Sequence, residues 1–342
     1  MKTVYSEDHR QHFPQGELWG GEFVTPFERP SRVEYVLREL KARGMSDLVA
    51  PDPFNIAPVR KVHDQGYLDF LATAWDEWVA AGFRGEIVPT AFPVPGLQHR
   101  VPRHIDGKVG YYSFAVETCI TGGTWAAAQS SAAVAQTAQK IVSNGARAAF
   151  ALCRPPGHHA HHAMYGGYCF LNNAAIAAQG FLDNGAKRVA VLDVDFHHGN
   201  GTQDIFYARD DVLFVSLHGQ PEDAFPYFLG YADETGRGKG EGFTVNYPMR
   251  PGTGFAEWSE ALEAGCRRID AYRPDALVVS LGVDTFKDDP ISFFKLASDD
   301  FTSYGKRLAR LGLPTLFAME GGYAIEAIGV NAVNVLDGFN NG

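Results

Sequence analysis

RVAVLDVDFHHGNG, residues 188–201, is the stretch of this sequence that decides its fold. Its apolar first half predicts a buried β-strand, and an extended chain that continues past the strand places Asp193, Asp195 and His197 on one face. Two carboxylates and an imidazole at a strand end are typical ligands of a divalent metal ion. A polar strand end followed by a turn at Asn200-Gly201 explains only one or two of these residues. The alternation of three potential ligands therefore favours a metal site.

Helix-like and strand-like segments alternate along the whole chain. Short apolar strands are predicted over residues 3–5, 148–152, 189–193, 212–217, 276–282 and 315–319. Helical periodicity is found over residues 33–43, 65–81, 125–144, 173–184, 202–207, 255–272, 300–311 and 326–339. This alternation predicts one α/β domain over residues 1–342, with three layers: a parallel multi-stranded β-sheet and helices on both of its faces. Residues 82–107, rich in Gly, Pro, Arg and His, predict a long inserted loop within that domain, of a kind that is usually functional or disordered.

The composition excludes several classes of protein. The net charge of −10 makes the chain a poor general binder of nucleic acid or of an anionic membrane. No run approaches the ~18 apolar residues of a membrane-spanning helix, and the first ten residues lack the apolar core of a signal peptide. The four cysteines form no CxxC pair and predict free thiols in a reducing cytosol. We therefore expect a cytoplasmic protein.

Residues that could do chemistry follow four of the predicted strands. In open α/β sheets, ligands bind beyond the carboxyl ends of the strands, so these residues should meet at one edge. The runs that follow the strands are CRPPGHHAHH (153–162), DVDFHHGNG (193–201), GVDTF (282–286) and EGGY (320–323). The sequence therefore predicts a site of histidines, aspartates and a tyrosine at this edge.

Five ordered motifs carry a resemblance to a known family. They are RPPGHH (154–159), GYCFLNN (167–173), DVDFHHGNG (193–201), SLGVD (280–284) and EGGY (320–323). Together they resemble the histone deacetylase family, which has the arginase–deacetylase fold. Within it, ELWGGEF (17–23) and the loop at 82–107 resemble the bacterial acetylpolyamine amidohydrolases. The resemblance implies a metal-dependent amidohydrolase that cleaves acetylputrescine, acetylcadaverine or longer acetylated polyamines, and a homodimer formed through that loop.

The resemblance assigns Asp195, His197 and Asp284 as ligands of one Zn²⁺ per chain. The residues themselves agree, because three protein ligands leave one coordination position open, as a catalytic zinc site requires. Two carboxylates and one imidazole could also hold Fe(II), Co(II) or Mn(II). His198 has the wrong parity for this face, so we expect it to pack or to form hydrogen bonds.

The resemblance makes His158 and His159 the acid/base pair, with His159 the general base and acid. Asp193 would orient one imidazole. Asn200 stands where many relatives carry a second aspartate, and a neutral amide predicts a lower pKa for His159. Tyr323, after two glycines, would donate to the substrate carbonyl oxygen opposite the zinc.

Substrate contacts are also implied by the resemblance. Tyr168 and Phe225 would line the acyl tunnel, and Gly167 would form its close-packed wall. Three acids would recognise the cationic substrate: Glu17, Asp106 and Glu117. Asp106 is a departure, since a glutamate is expected there. His161 and His162 are predicted to be loop or rim residues.

Two potassium sites are implied by the same resemblance. The first would use side-chain or carbonyl oxygens of Asp193, Asp195, His197, Ser216 and Leu217. The second would use carbonyl oxygens around Phe206, Arg209, Val212 and Phe243. Backbone ligands leave almost no trace in a sequence, so neither site follows from the residues alone.

Three alternatives remain open from the sequence. A protein acetyl-lysine (histone-type) deacetylase would have the same catalytic residues and differ only in access. A binuclear manganese enzyme of the arginase type would need further carboxylates, and position 282 carries glycine instead of an extra aspartate. A catalytically dead sensor would lack a ligand or the tyrosine, whereas this chain has them all.

Overall fold

The computed structural model describes all 342 residues, Met1–Gly342, and most of its strands form one sheet. These eight strands are β1 (Lys2–Val4), β4 (Leu48–Val49), β5 (Ala148–Ala151), β6 (Val189–Asp193), β7 (Val212–Gly219), β8 (Thr244–Met249), β9 (Ala276–Leu281) and β10 (Thr315–Met319). They lie in the order β4-β1-β5-β10-β9-β6-β7-β8 and every neighbouring pair is parallel. The predicted parallel sheet is confirmed, and β10 joins its two halves.

Helices cover both faces of this sheet. They are α1 (Ser31–Ala42), α2 (Ile56–Val59), α3 (Gln65–Ala80), α4 (Ile105–Tyr111), α5 (Thr124–Ser143), α6 (Asn173–Asp183), α7 (Asn200–Phe206), α8 (Phe255–Tyr272), α9 (Ser298–Ala309) and α10 (Ile328–Asn340). None of the ten combines the length and the apolar character needed to cross a membrane.

In strands β5, β6, β7, β9 and β10, successive apolar residues belong alternately to two different apolar clusters. In β6, Val189 and Val191 pack with α5 and α6, whereas Ala190 and Leu192 pack with α8, α9 and α10 on the opposite face. Because both faces are buried, the strands read as continuous apolar runs in the sequence. This is the physical reason why the sequence predicts most of them.

Several elements differ from the predictions, including the short strand β4 and helix α2, which no sequence pattern indicated. Strands β2 (Glu17–Trp19) and β3 (Glu22–Val24) form a hairpin whose turn residues Gly20 and Gly21 both have positive φ, 59° and 85°. Strand β8 lies at the edge of the sheet, where Pro248 and the polar Asn246 are tolerated and break the apolar pattern. Helix α4 begins inside the predicted loop, so the part without helix or strand ends at residue 104.

Candidate metal centre and active site

Asp195, His197 and Asp284 converge beyond the carboxyl ends of β6 and β9. Their ligand atoms all lie within 4.8 Å of one another, and the three residues are buried. The Nδ1 atom of His197 lies 2.9 Å from Oδ2 of Asp284 and 3.4 Å from Oδ1 of Asp195. Two buried carboxylates this close need a compensating positive charge. The donor set of two carboxylates and one imidazole therefore fits a divalent cation.

Backbone N–H groups hold both carboxylates of this cluster in place. The N–H of Gly321 donates to Asp195 Oδ2 (2.7 Å) and the N–H of Phe196 donates to Asp284 Oδ1 (2.8 Å). A side chain at Gly282 would overlap the Asp195 carboxylate. A carboxylate for a second cation has no room at that position, which weighs against the binuclear alternative.

The two histidines of the RPPGHH motif lie beside this cluster, in the loop that follows β5. Nδ1 of His158 is 3.0 Å from Oδ2 of Asp193, the last residue of β6. The loop itself is fixed by Glu320, whose Oε2 accepts from the N–H groups of Gly157 (2.6 Å) and His158 (3.1 Å). Glu320 directly follows β10, so neighbouring strands of the sheet position the His158 ring.

His159 is buried and bonded on one side to an amide. Its Nδ1 lies 2.6 Å from Oδ1 of Asn200, the first residue of α7. Burial lowers the pKa of His159 well below its usual value, and the neighbouring His158 and His197 lower it further. The direction agrees with the prediction, but burial is the main cause. The Asn200 hydrogen bond itself raises the pKa.

His158 has the opposite environment. Burial disfavours its charged form, but the Asp195 and Asp193 carboxylates outweigh this effect and raise the pKa of His158 to about 10. The rings of His158 and His159 are 4.0 Å apart between centroids. Two adjacent imidazoles with opposite pKa shifts can take different roles in proton transfer.

His161 lies in the loop after β5, as predicted, but it is buried and not at the rim, which corrects that part of the prediction. It is only 6% exposed, and its Nε2 atom lies 2.7 Å from Nδ2 of Asn200. His162 is exposed, and its Nδ1 bonds to the carbonyl oxygen of Val62 instead (2.9 Å). His198 is buried, as expected, and its Nε2 lies 3.1 Å from Oε1 of Gln203.

Tyr323 lines the same pocket as His159. Asp289 fixes its backbone, since Oδ2 accepts from the N–H groups of Tyr323 (2.7 Å) and Ala324 (3.1 Å). The guanidinium of Arg32 lies 4.9 Å from the Tyr323 ring centroid and donates to the carbonyl oxygen of Gly322 (2.8 Å). The phenol can therefore donate to an oxygen held at the base of the site.

A pocket of about 430 Å³ leads down to these groups. Tyr168 and Phe225 line it, as predicted for tunnel walls, and Gly167 and Glu117 contribute to the same lining. A Cβ at Gly167 would overlap the His159 ring, and both Gly167 and Tyr168 have positive φ, 56° and 65°. Glycine at 167 is thus what allows the wall to approach the histidine.

The three predicted substrate acids lie at different depths. Glu117 lines the pocket and its Oε1 accepts from the N–H of Gly167 (2.9 Å). Glu17 lies behind the wall and accepts from the hydroxyl of Tyr168 (3.0 Å). Asp106 is not brought to this pocket; it lies on α4 and accepts from the Thr90 hydroxyl (3.2 Å). An exposed acid at the mouth, Asp223, was missed by the sequence reasoning.

The residues named for potassium divide between two places. Ser216 pairs directly with Asp193 across β6 and β7, and its hydroxyl lies 2.8 Å from Nδ1 of His218. Phe206, Arg209 and Val212 belong to the connection between α7 and β7, and the carbonyl oxygen of Phe243 accepts from the N–H of Phe214 (2.9 Å).

Several positioning residues also escaped the sequence reasoning. Glu28, Arg32 and Arg154 form a buried ion network, and Asp289 and Asp204 hold loops by accepting backbone N–H groups. Each acts through contacts between segments far apart in the chain. In the sequence, only the position of Arg154 inside the RPPGHH motif indicated such a positioning role.

Comparisons with known proteins agree with this geometry. Residues 26–339 match the family model of the histone deacetylase domain. The chain therefore belongs to the histone deacetylase family, as the sequence predicts.

Its relatives narrow the class further. It is 59% identical over 341 residues to acetylpolyamine amidohydrolase 1 of Pseudomonas aeruginosa, covering 99% of both chains. It is 56% identical over 338 residues to the acetylpolyamine amidohydrolase of Mycoplana ramosa, also with 99% of both chains covered. The crystal structure of an acetylpolyamine aminohydrolase from Burkholderia pseudomallei superimposes with a TM-score of 0.94 at 40% identity, over 99% of this chain and 98% of that one. The predicted arginase–deacetylase fold and the amidohydrolase class are confirmed.

Proposed function

We propose that this protein hydrolyses the acetamide bond of acetylated polyamines, releasing acetate and the free polyamine. The observation that carries the proposal is the meeting of three sets of groups at the base of one pocket. These are the Asp195–His197–Asp284 cluster, the His158–His159 pair and the Tyr323 phenol. Relatives named acetylpolyamine amidohydrolases, at 56% to 59% identity over nearly the whole chain, support the substrate class.

We infer that Asp195, His197 and Asp284 hold one Zn²⁺ per chain. Three buried protein donors suit a catalytic site, in which a further position stays open for water or substrate. When bound, the cation supplies Lewis-acid activation of the amide carbonyl and of water. The same oxygen and nitrogen donors suit Fe(II), Co(II) or Mn(II), so the cellular metal is decided by metal analysis.

The chain's own residues then divide the proton transfers. With Nδ1–H of His159 donating to Asn200, its Nε2 is free to take a proton from the attacking water and to return one to the leaving amine. Asp193 keeps His158 in one orientation next to it. Tyr323 donates its phenolic proton as a hydrogen bond to the amide oxygen, where negative charge develops. The leaving nitrogen departs protonated as the free polyamine.

Substrate selection is proposed to come from an apolar wall and acids farther out. Tyr168 and Phe225 would hold the methylene chain, and Glu117 and Glu17 would attract its distal ammonium group. Asp106 lies away from the pocket of its own chain, so a role for it requires a second copy.

We also propose that the protein binds potassium and forms a dimer. The carbonyl and side-chain oxygens around Asp193 and Ser216 could take one monovalent cation, and the α7–β7 connection a second. Exposed apolar residues of the loop before α4, Val94, Leu97 and Val101, support contact with another copy of the chain.

The four cysteines are buried free thiols, which supports a cytoplasmic location.

The decisive experiment measures acetate release from acetylputrescine, acetylcadaverine, acetylspermidine and an acetyl-lysine peptide. Tyr323→Phe and His159→Ala should each lower kcat by at least about 100-fold on the acetylpolyamines. Tyr35→Phe, on α1, and His99→Ala, in the exposed loop, serve as matched controls and should retain activity. Wild-type rates in the first two variants would disprove the mechanism.

The assay on the acetyl-lysine peptide distinguishes the proposed function from its nearest alternative. A protein acetyl-lysine deacetylase would use the same residues, so only relative turnover distinguishes the two functions. Faster turnover of the peptide than of acetylcadaverine would favour the protein substrate and contradict the proposal.

A further inference from the structure

A chain of hydrogen-bonding groups continues behind His159 to the protein surface. Nδ1 of His159 lies 2.6 Å from Oδ1 of Asn200, and Nδ2 of Asn200 lies 2.7 Å from Nε2 of His161. On its other side, Nδ1 of His161 lies 3.4 Å from Oδ2 of Asp204. The first three residues are buried, whereas the Asp204 side chain is 43% exposed. The chain therefore runs from the reacting groups to a carboxylate at the surface.

Local structure fixes both ends of this chain. Asn200 and Asp204 are four residues apart on α7 and so lie on the same side of the helix, facing the loop that carries the histidines. Asp204 Oδ2 also accepts from the N–H of His162 (3.0 Å). The ring of His161 packs edge-on against Phe114 with centroids 5.2 Å apart.

The backbone of His161 is equally constrained. Its N–H donates to the carbonyl oxygen of Met164 (2.9 Å), and its own carbonyl oxygen lies 2.9 Å from Nδ1 of His63. The His161 ring thus has a defined position against Asn200 and is not a mobile surface side chain.

The two ends of the Asn200 amide have opposite hydrogen-bonding properties. Its oxygen can only accept and its NH₂ group can only donate. With Oδ1 facing His159, the proton of that imidazole is on Nδ1 and the lone pair is on Nε2, where a general base needs it. A reversed amide would place NH₂ against Nδ1 of His159 and move the proton to Nε2. The orientation of one amide therefore decides whether His159 can accept a proton.

His161 is the group that can fix this orientation. A lone pair on its Nε2 accepts from Nδ2 of Asn200, which is possible only when the His161 proton is on Nδ1. Asp204 favours that tautomer, because its carboxylate faces Nδ1 and can only accept. Asp204 thus sets the tautomer of His161, and His161 sets the orientation of the Asn200 amide. That amide in turn sets the tautomer of His159.

We propose that His161 and Asp204 are positioning residues that select the catalytic tautomer of His159 by orienting the Asn200 amide. This inference rests on the proposed amide hydrolysis. It assigns to two additional residues the orienting role that a carboxylate at position 200 would perform directly. Neither residue lines the substrate pocket, and the direct link from His161 to His159 is the Asn200 amide.

The chain offers a matched control in the adjacent residue. His162 belongs to the same loop, but its ring bonds to the carbonyl oxygen of Val62 and does not contact Asn200. His161→Leu should lower kcat on acetylcadaverine by about 10- to 100-fold, the usual range for loss of a group that orients a reacting residue. KM should change less than about twofold, because ground-state contacts are untouched. His162→Leu should leave both parameters unchanged.

A conservative variant separates positioning from folding. His161→Gln retains a side-chain oxygen that can accept from Nδ2 of Asn200, so we expect it to recover most of the lost kcat. Asp204→Asn alters only a partly exposed carboxylate, keeps the fold and should lower kcat several-fold. Equal losses of kcat in the Leu and Gln variants would overturn the proposal.

A double-mutant cycle tests the route of the effect. In an Asn200→Ala background there is no amide to orient, so His161→Leu should have little further effect on kcat. Independent, additive losses in the cycle would overturn the proposal.

NMR of histidine ring nitrogens in isotope-labelled, metal-loaded protein gives a readout that does not depend on turnover. The wild type should show His159 protonated at Nδ1, and His161→Leu should shift that tautomer. A tautomer shift in a protein without acetate release would support the positioning role and reject the proposed function. An unchanged tautomer and kcat in an active protein would reject the positioning role alone.

Discussion

Glu28 lies buried between two guanidinium groups that hold opposite sides of the site. Its Oε1 accepts from Nε of Arg154 (2.8 Å) and from Nη1 of Arg32 (3.0 Å). Arg154 begins the histidine motif, and Arg32 donates to the carbonyl oxygens of Glu320 and Gly322 beside Tyr323. One carboxylate is therefore shared by the two cations that hold the catalytic loops.

Removing that charge should destabilise the fold. We expect Glu28→Gln to lower the free energy of unfolding by about 3–5 kcal/mol, since it leaves buried cations without their counter-ion. Glu34→Gln, whose partner Arg10 is half exposed, is the control and should cost less than about 1 kcal/mol. Urea denaturation of both variants measures the difference.

Wild type and Glu28→Gln should also differ in how their stability depends on pH. Burial acts to raise the pKa of Glu28, but Arg154 and Arg32 outweigh it and hold that pKa below its usual value of 4.5. A lowered pKa in the folded state means that the stabilisation is complete above pH 4.5 and is lost as the pH falls through the folded-state pKa. The stability difference between wild type and Glu28→Gln should therefore shrink in acid. A constant difference from neutral pH down to acid unfolding would contradict this assignment.

Glu17 should make substrate binding depend on pH near neutrality. Burial raises the pKa of Glu17 to about 7, the nearby Glu117 and Glu28 carboxylates add to this, and hydrogen bonds from Tyr168 and Phe27 oppose it. The ammonium of the substrate stays charged, since its pKa is about 10. KM for acetylcadaverine should fall as the pH rises from about 6 to 8, by up to about tenfold, because Glu17 becomes ionised. The same slope in Glu17→Gln would rule out this explanation.

At the scale of elements, the sequence predicts best what is buried on both faces. Strands β6 and β10 and helix α8 have the predicted bounds, because their patterns reflect burial of every residue or of one clear stripe. Strand β8 and the β2–β3 hairpin were missed, since β8 is only partly buried and the hairpin has a single buried residue, Glu17.

The residues of the candidate site also fall into a group that the sequence predicts and a group that it does not. Residues that follow strands could be assigned to one edge, because parallel strands bring their carboxyl ends together. His161 and Asp204 could not be assigned, since their role depends on how the loop after β5 meets α7. No periodicity or motif records such a contact, and only the folded structure shows which of two adjacent histidines faces Asn200.

Helices α9 and α10 approach each other at glycines. A Cβ at Gly305 would overlap the carbonyl oxygen of Val335, and one at Gly338 would overlap that of Thr302. Gly305→Ala should therefore lower the free energy of unfolding by about 1–3 kcal/mol. Gly85→Ala, where a Cβ meets no atom within 4 Å, should change it by less than about 1 kcal/mol. Equal stabilities of the two variants would show that the helices can separate without cost.

At the scale of the whole molecule, large apolar side chains are exposed on the β2–β3 hairpin and on the segment after β7. Leu18, Trp19 and Phe23 of the hairpin are 46% to 71% exposed, and Phe228 is 88% exposed. If another copy covers them, sedimentation should give twice the mass of one chain, and Phe23→Asp with Phe228→Asp should give monomers. Leu48→Ser, in edge strand β4, is the control. A monomeric wild type at micromolar concentration would contradict the proposed dimer.

Metal removal tests whether activity and stability depend on a bound cation. A chelator should abolish acetate release, and one equivalent of Zn²⁺ per chain should restore it and raise the thermal unfolding midpoint. Asp284→Ala should bind no stoichiometric zinc and show no such rise. A chelated protein that keeps full activity would exclude a catalytic cation.

The central position of β10 has a consequence for how the protein is made. This strand, the last of the sheet along the chain, fills the gap between β5 and β9, and Tyr323 comes shortly after its end. A nascent chain that ends before residue 315 has two open inner edges of sheet and is prone to aggregate. The ribosome must therefore deliver the chain as far as β10 before either the sheet or the active site can close, so fragments that end before residue 315 should have no activity at all.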